Sequence, residues 1–344
     1  MINVDTMRVY SSFNHVVKFW DDTHPRAVKH TITKNVAGNE IEEFNYRLDC
    51  SDIIGLSNVW YTPESDKLTL EMSSKRLGKN YYKHINKNTI LQAIDNVNEA
   101  LKGVLFIDPL KLVEGSSVGR LDVLEDTKMK NIDRRLLING LQRNPKERFM
   151  LRPDGKLQNS LIIERKAKSD NTRMTLYDKL EQMTTGAEKL TNMTLFDPYK
   201  HFVDTNRTEL MLRQRKAFRK YLNVDVKGDV PLEPCLLSNE KPLKRYINEF
   251  AEANTNPPLF ETHQERLERC KNWFDFVHEY GMLSLLRDHN YNIGIIREVA
   301  RPYFKNKDTL SKAMKKIKER IASEMSMIIS EKTVYERFIE QLNG

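Results

Sequence analysis

The stretch SLIIERKAKSDNTRMTLYDK, residues 160–179, decides how the chain is read. It holds two runs of strand-forming residues, Ser160–Glu164 and Thr172–Asp178, around a basic, polar turn. Successive side chains of a strand point to opposite faces. Met174 and Leu176 therefore share one face, and Arg173, Thr175 and Tyr177 share the other.

Two further runs divide in the same way. In RLDV, residues 120–123, Leu121 and Val123 oppose Arg120 and Asp122. In RTELMLR, residues 207–213, Thr208, Leu210 and Leu212 oppose Arg207, Glu209 and Arg213, with Met211 the apolar exception. Each run alone is an ordinary half-buried strand. If the three are neighbours, one sheet face is greasy, and the other gathers Asp122, Glu209, Tyr177 and several arginines.

Working outward, further strands are expected at Val4–Tyr10, Glu43–Cys50, Asn58–Thr62, Lys67–Met72 and Val118–Glu125. Asn88–Leu101 reads as an amphipathic helix, with Ile90, Ala93, Ile94, Val97 and Leu101 at helical spacing. Helical stretches are also expected between Ile132 and Leu141 and after Lys179. Strands mixed with helices, some strands in hairpins, indicate an α+β domain. The turn-rich GDVPLEP, residues 228–234, suggests a linker. The division expected is residues 1–227 as one domain and 235–344 as a helical one. Its last element, Asp308–Leu342, carries Leu310, Met314, Ile317, Ile321, Met325, Ile328, Val334, Phe338 and Leu342 along one stripe. Such a stripe packs on neighbouring helices or, alternatively, forms a dimer seam.

Composition narrows the class. The 344 residues are 30% charged and 39% hydrophobic, which suits a soluble globular protein. The net charge is +8, and Lys128–Arg173 alone holds 13 Lys/Arg against 5 Asp/Glu, an excess equal to that net charge. Basicity this local favours a phosphate-tracking surface. Cys50, Cys235 and Cys270 are far apart, which argues against a disulfide framework or structural zinc and for a reducing cytoplasm. No apolar run reaches membrane-span or signal-peptide character, so no membrane role is expected.

A polar face of this kind suits phosphoryl transfer. Two carboxylates can hold a hard divalent cation, Mg²⁺ or Mn²⁺. The cation polarises a scissile phosphate, a tyrosine oxygen attacks phosphorus, and arginines bind flanking phosphates. A phenol with an ordinary pKa near 10 needs a base or metal to become a useful nucleophile.

On these residues the chain resembles rolling-circle replication initiators. Residues 160–179 are similar to that family's basic turn followed by an arginine and a Tyr-Asp/Asn-Lys triplet. Arg120-Leu-Asp122 and Arg207-Thr-Glu209 resemble its Arg-x-Asp and Arg-x-Glu strands, in the same order. Lys67–Lys75, with Asn80-Tyr-Tyr-Lys83, resembles filamentous-phage gene II replication proteins. The resemblance spans roughly residues 1–221. It implies an HUH-endonuclease-like antiparallel sheet flanked by helices, with nicking at a plasmid or phage origin in a bacterial cytoplasm. It also implies a 5′-phosphotyrosine on Tyr177, with Lys179 as a phosphate contact and Asp122 and Glu209 as metal ligands. The family's His-hydrophobe-His motif is missing, so any metal site must rest on carboxylates, as in the Rep-trans and gene II-like branches.

DNA contacts are expected from Arg120, Arg143, Lys146, Arg148, Arg165, Lys166, Lys168, Arg173, Arg207 and Arg213, with Arg134 and Arg135 in the same basic stretch. Partners are origin DNA, single-stranded at the nick, together with a host helicase and polymerase and a possible second copy. Glu164 and Glu181 are reserve ligands. Tyr81 and Tyr82 are rival nucleophiles with no carboxylate pattern around them in sequence, and His201 reads as structural. A mobilisation relaxase and a non-catalytic origin-binding protein are the alternatives. A pure binder has no need of Asp122 and Glu209 beside a tyrosine.

Overall fold

The alternation that divides strand faces in the sequence builds an antiparallel sheet in the computed structural model. The model describes residues 2–36, 39–143, 149–153, 157, 160–167, 171–185, 197–224, 228–251, 270–289, 293–325 and 329–342, for some of which only the backbone is described. The strands are β1 (Asn3–Ser12), β2 (Val17–Trp20), β3 (Ala27–Val36), β4 (Asn39–Leu48), β5 (Leu56–Thr62), β6 (Lys67–Ser73), β7 (Leu105–Ile107), β8 (Ser117–Lys128), β9 (Phe149–Arg152), β10 (Leu161–Arg165), β11 (Arg173–Asp178) and β12 (Thr205–Leu212). With helices at Ile90–Ala100, Lys179–Thr184 and Arg215–Leu222, among others, the fold is α+β.

Contacts divide the chain into two units. The first is Met1–Lys128 with Arg152–Tyr246, and the second is Met129–Leu151 with Ile247–Gly344. In the first unit the main sheet runs β3-β4-β5-β6-β1-β8-β12-β11-β10, while β2 and β7 pair separately. Strands distant in sequence therefore lie side by side. β12 sits between β8 and β11, so the three runs that suggested a shared face are adjacent.

Register sets the faces. Met7 opposes Leu121 and Leu70 opposes Val9, while Leu210 opposes both Val123 and Met174. All are buried and form the apolar side of the sheet. The other side carries Arg8 opposite Glu71 and Arg120, then Asp126 opposite Arg207, then Arg207 opposite Tyr177. Two irregularities in the β1–β8 ladder matter. One leaves Asp5 unpaired between Val4 and Thr6. The other falls at Gly119, between the Arg8–Arg120 and Val9–Val118 pairs.

The boundary differs from the expected one. GDVPLEP does not end the first unit, because Leu232, Cys235, Leu236 and Tyr246 beyond it are buried. Tyr246 Oη donates to Ile163 O at 3.0 Å, tying the segment to β10. Conversely, Met129–Leu151 belongs with the C-terminal helices. There Leu286, Ile296, Leu310, Met314 and Ile317 form one buried cluster, and Val334, Phe338 and Leu342 are also buried. The described part of the stripe is thus packed inside its own unit. The final element is described as two helices, Lys307–Met325 and Ile329–Gln341, rather than one. The side chains of Ile321, Met325 and Ile328 lie outside the described residues. No helix among the described residues is long and apolar enough to cross a membrane.

Gly119 gives a direct test of the β1–β8 packing. A Cβ there would fall 2.4 Å from Tyr10 Cε2, because the Tyr10 ring lies over the glycine. Gly119→Ala should displace the ring and destabilise the protein by about 1–3 kcal/mol, the usual cost of overpacking. Urea unfolding reads this directly. An unchanged midpoint would mean that the ring moves aside freely.

Candidate active site

A fully buried guanidinium organises the polar face. Arg207 on β12 has 0% side-chain exposure. Its Nε donates to Asp126 Oδ1 and its Nη2 to Asp126 Oδ2, both at 2.7 Å, in a bidentate pair across β8 and β12. Nη1 donates to Asp5 Oδ1 at 3.1 Å and to Tyr81 Oη at 3.2 Å. Asp5 also accepts from Ser74 Oγ at 2.8 Å and Tyr81 Oη at 3.3 Å. His84 Nε2 stands 3.2 Å from Asp126 Oδ2. Burial works against the charge of Asp126, but the Arg207 guanidinium wins and holds that carboxyl far below the usual range. Burial pushes His84 down, so this imidazole is neutral near pH 7.

Beside that pair lies a tyrosine–carboxylate couple. Tyr177, next to last in β11, is 6% exposed, and its hydroxyl donates to Glu209 Oε1. Two causes raise the Tyr177 phenol well above its ordinary value: burial first, then the Glu209 charge. Burial and the nearby Asp5 carboxylate push Glu209 up to about 7. Asp178 caps the next helix, accepting from Glu181 N at 2.9 Å, and so places Lys179 at the helix start. The Lys179 ammonium is buried, bonded to Gln182 Oε1 at 2.8 Å, and 5.6 and 5.2 Å from the Tyr177 and Tyr81 ring centres. Burial and the Arg207 charge bring it down to about 8.

The expected metal ligands do not converge. Asp122 and Glu209 share a face but are offset, since Glu209 opposes Leu124 while Asp122 opposes Met211. Arg120 clamps Asp122 through Nε and Nη2, and Tyr177 occupies Glu209. Among the described residues no three metal-capable side chains gather at one point. As arranged, the donor set does not fit a divalent cation. The reserve ligands do not complete it: Glu164 pairs with Arg152 at 2.8 Å and Arg173 at 3.9 Å.

Other expectations divide. Arg207 cannot be a phosphate contact, because it is sealed and all its nitrogens meet protein acceptors. Arg134 is likewise buried, donating to Met129 O at 3.3 Å, and so does not face DNA. Arg120 is 20% exposed and held between Glu71 and Asp122. Arg165 donates to Tyr221 Oη at 3.2 Å. Arg173 is 38% exposed, and Lys166 and Arg213 are exposed. Lys146, Arg148, Lys168 and the Arg143 side chain lie outside the described residues. Tyr81 does have a carboxylate beside it, Asp5, contrary to the sequence reading. Tyr82 instead stacks on His201, with ring centres 4.2 Å apart.

Asp5, Ser74, Tyr81, His84 and Asp126 were missed as a group. Asp126 shares its parity with Asp122 and is legible once β8 is extended past Glu125 to Lys128. Asp5 follows no strand parity, because the bulge turns it.

No family model matches the chain, and no curated protein matches it. Among solved structures it is similar to a rolling circle replication initiator protein from Geobacillus stearothermophilus. The two are 15% identical, the match covers 62% of this chain and 74% of that one, and the TM-score is 0.29. A likeness that low carries neither fold nor function, so the chemistry must come from the residues themselves.

Two variants separate the roles of the buried charges. Asp126→Asn removes the main counter-charge of Arg207 and should cost about 3 kcal/mol, the low end for a broken buried pair, since Asp5 remains. Glu209→Gln should behave oppositely. A carboxyl raised from an unfolded value near 4.3 to about 7 contributes stability at low pH that is lost as pH rises through 7. The Gln variant should therefore melt at or above wild type at pH 8. Thermal melts from pH 5 to about 8 check both, and a Glu209→Gln variant less stable at pH 8 would contradict the assigned burial cost.

Proposed function

We propose that this protein is a tyrosine-dependent DNA nickase and strand transferase, acting as a rolling-circle replication initiator on a plasmid or phage origin. The observation that carries the reading is the Tyr177 hydroxyl bonded to Glu209, with Lys179 over the same ring. A nucleophile held against a base whose proton affinity lies near neutrality is the arrangement that covalent catalysis needs. A purely structural or DNA-binding face gains nothing from a carboxylate kept half-protonated in a buried site.

In this reading Tyr177 Oη attacks the scissile phosphorus as the P–O3′ bond breaks. The phenolic proton passes to Glu209, and the Lys179 ammonium supplies one to the departing 3′ oxygen. The strand keeps its 5′ phosphate on Tyr177, and the free 3′ hydroxyl can prime a polymerase. Rejoining runs the same steps backward. Arg207 and Lys179 lower the cost of the developing phenolate from fixed positions, which is electrostatic preorganisation. Arg173 and Arg213, the more exposed arginines of the face, bind neighbouring phosphates. A mobilisation relaxase would use the same chemistry, and the two differ only in the DNA they act on.

Tyr177→Phe removes one oxygen and should leave fold and DNA affinity intact while abolishing covalent capture. The assay is supercoiled origin plasmid incubated with protein, denatured in detergent and scored for protein-linked open circles. Normal capture by the Phe variant would move the nucleophile to Tyr81, the other hydroxyl of the cluster.

The same two groups fix a pH profile. Activity requires Glu209 as the base, so it rises through about 7. It requires Lys179 as the acid, so it falls above about 8. A narrow bell between those limits is expected for single-turnover cleavage, with Lys179→Arg moving only the alkaline limb. A flat profile from pH 6 to about 9 would remove both groups from the chemistry.

A further inference from the structure

The face that carries Tyr177 does not stop at the active site. Register pairs continue it strand by strand: Arg120 opposes Arg8, Arg8 opposes Glu71, Tyr10 opposes Thr69, and Thr69 opposes Trp60. Trp60 then opposes Arg47, and Arg47 opposes Val28. Directly opposed residues share a face, so Trp60, Arg47 and Val28 lie on the same side of the sheet as the nucleophile. From β11, which carries Tyr177, to β5, which carries Trp60, there are five strand spacings, about 24 Å at roughly 4.8 Å each.

This distant half is open and has its own chemistry. Trp60 is 41% exposed and Val28 44% exposed, and Arg47, His30 and Lys67 are exposed. Two aromatic rings each carry a cation: Arg47 Cζ lies 5.7 Å from the Trp60 ring centre, and Lys67 Nζ lies 4.0 Å from that of Tyr10. Past Arg47 the face runs into a cavity of about 650 Å³. It has an apolar floor at Leu48, Ile53 and Leu56, cations at Arg47 and Lys75, and the His30 ring and the Asp49 carboxylate among its polar lining. Gly55 lets the loop over it close, since its φ is +79° and a Cβ there would strike the Arg76 backbone at 2.9 Å.

We infer that Trp60, Arg47, Tyr10, Lys67 and the adjoining cavity form a second binding site, one for unpaired nucleotides of a DNA strand. An exposed tryptophan ring flanked by cations, with Tyr10 half-buried beneath Lys67, matches a strand whose phosphates are negative and whose bases are free to stack. A duplex hides its base faces and would use only the cations. Of the nearby acids, Glu71 is already bonded to Arg8, Arg120 and Asn58, and Asp52 to Arg26. Asp49 accepts from Ser51 N and is the one carboxylate among the described lining residues, beside Arg47 and Lys75. The site rests on the nickase reading for its biological purpose: it holds the strand some 24 Å from the scissile phosphate and keeps it unpaired there.

The test is binding, so it does not depend on cutting. Full-length protein carrying Tyr177→Phe is titrated with fluorescent single strands of about 4 and about 16 nucleotides at several salt concentrations. The parent should bind the long strand much more tightly. Adding Trp60→Ala should weaken the long strand by about 5- to 150-fold, the worth of one lost base–aromatic stack. Adding Arg47→Ala should reduce the salt slope by about 0.7, one phosphate contact. Trp60→Phe, which keeps a ring, should restore most of the affinity and guards against a folding defect. The inference is overturned if Trp60→Ala and Arg47→Ala leave affinity and slope unchanged, or if the parent binds long and short strands equally. Failure of the nickase reading would look different: wild type would form no covalent product while the length dependence persisted.

Discussion

The Arg207–Asp126 pair is the constraint on which the rest of the polar face depends. A guanidinium with no solvent exposure is tolerated only where carboxylates meet it with good geometry. Asp126 does so through both oxygens, and Asp5 and Tyr81 take the remaining donors. The pair joins β8 to β12, the β1 bulge and the segment before His84. Those pieces are distant in sequence, and one buried cation fixes their relative positions. Removing Asp126 would leave Arg207 with Asp5 as its one carboxylate, and removing Arg207 would leave Asp126 beside His84 without its guanidinium. Either loss weakens the whole cluster.

The same cation sets the chemistry of its neighbours. Glu209 is half-buried near Asp5, and desolvation and then the Asp5 charge raise its proton affinity, while Lys179 and Arg207 hold the rise in check. Lys179 is buried near Arg207, which lowers its affinity, while Asp5 and Glu209 hold the fall in check. The Glu209 carboxyl and the Lys179 ammonium are thereby brought to within reach of neutral pH by a shared field. Neither would be there alone: an exposed glutamate is ionised at neutral pH and accepts a phenol proton poorly, and an exposed lysine parts with a proton poorly.

Much of this was legible in the sequence because strand parity survives in β8, β11 and β12. Arg120, Asp122, Tyr177, Arg207 and Glu209 were placed on one face by counting in twos, and the register agrees. What parity could not give was side-chain pairing. It placed Asp122 and Glu209 on one face, but not that Arg120 and Tyr177 would occupy them. Nor could it find Asp5. In NVDTMRVY, counting in twos puts Asp5 with Met7 and Val9, in the core. The bulge between Val4 and Thr6 reverses the count, so Val4 and Met7 are both buried while Asp5 joins the charges. Tyr81 and His84 come from a 3-10 segment with no strand period at all. The domain boundary failed for a related reason. Turn-forming residues at 228–234 mark a change of direction, but whether the chain leaves the core is decided by Leu232, Cys235 and Tyr246 further on.

The distribution of exposure along the face completes the physical argument. Cations that fix the architecture, Arg207 and to a lesser degree Arg120, are buried and matched by carboxylates, so they add little field outside. Cations at the rim, Arg47, Lys67, Arg173 and Arg213, keep substantial access to water, whereas Arg8 is bonded to Glu71 through two nitrogens. The internal charges stay paired without any ligand, and if the face binds DNA as proposed, the outer ones are those placed to exchange counter-ions for phosphates. A tyrosine buried at 6% exposure fits this division. On the nickase reading we propose, a strand drawn along the outer cations would meet Tyr177 where the polar groups are already paired with one another.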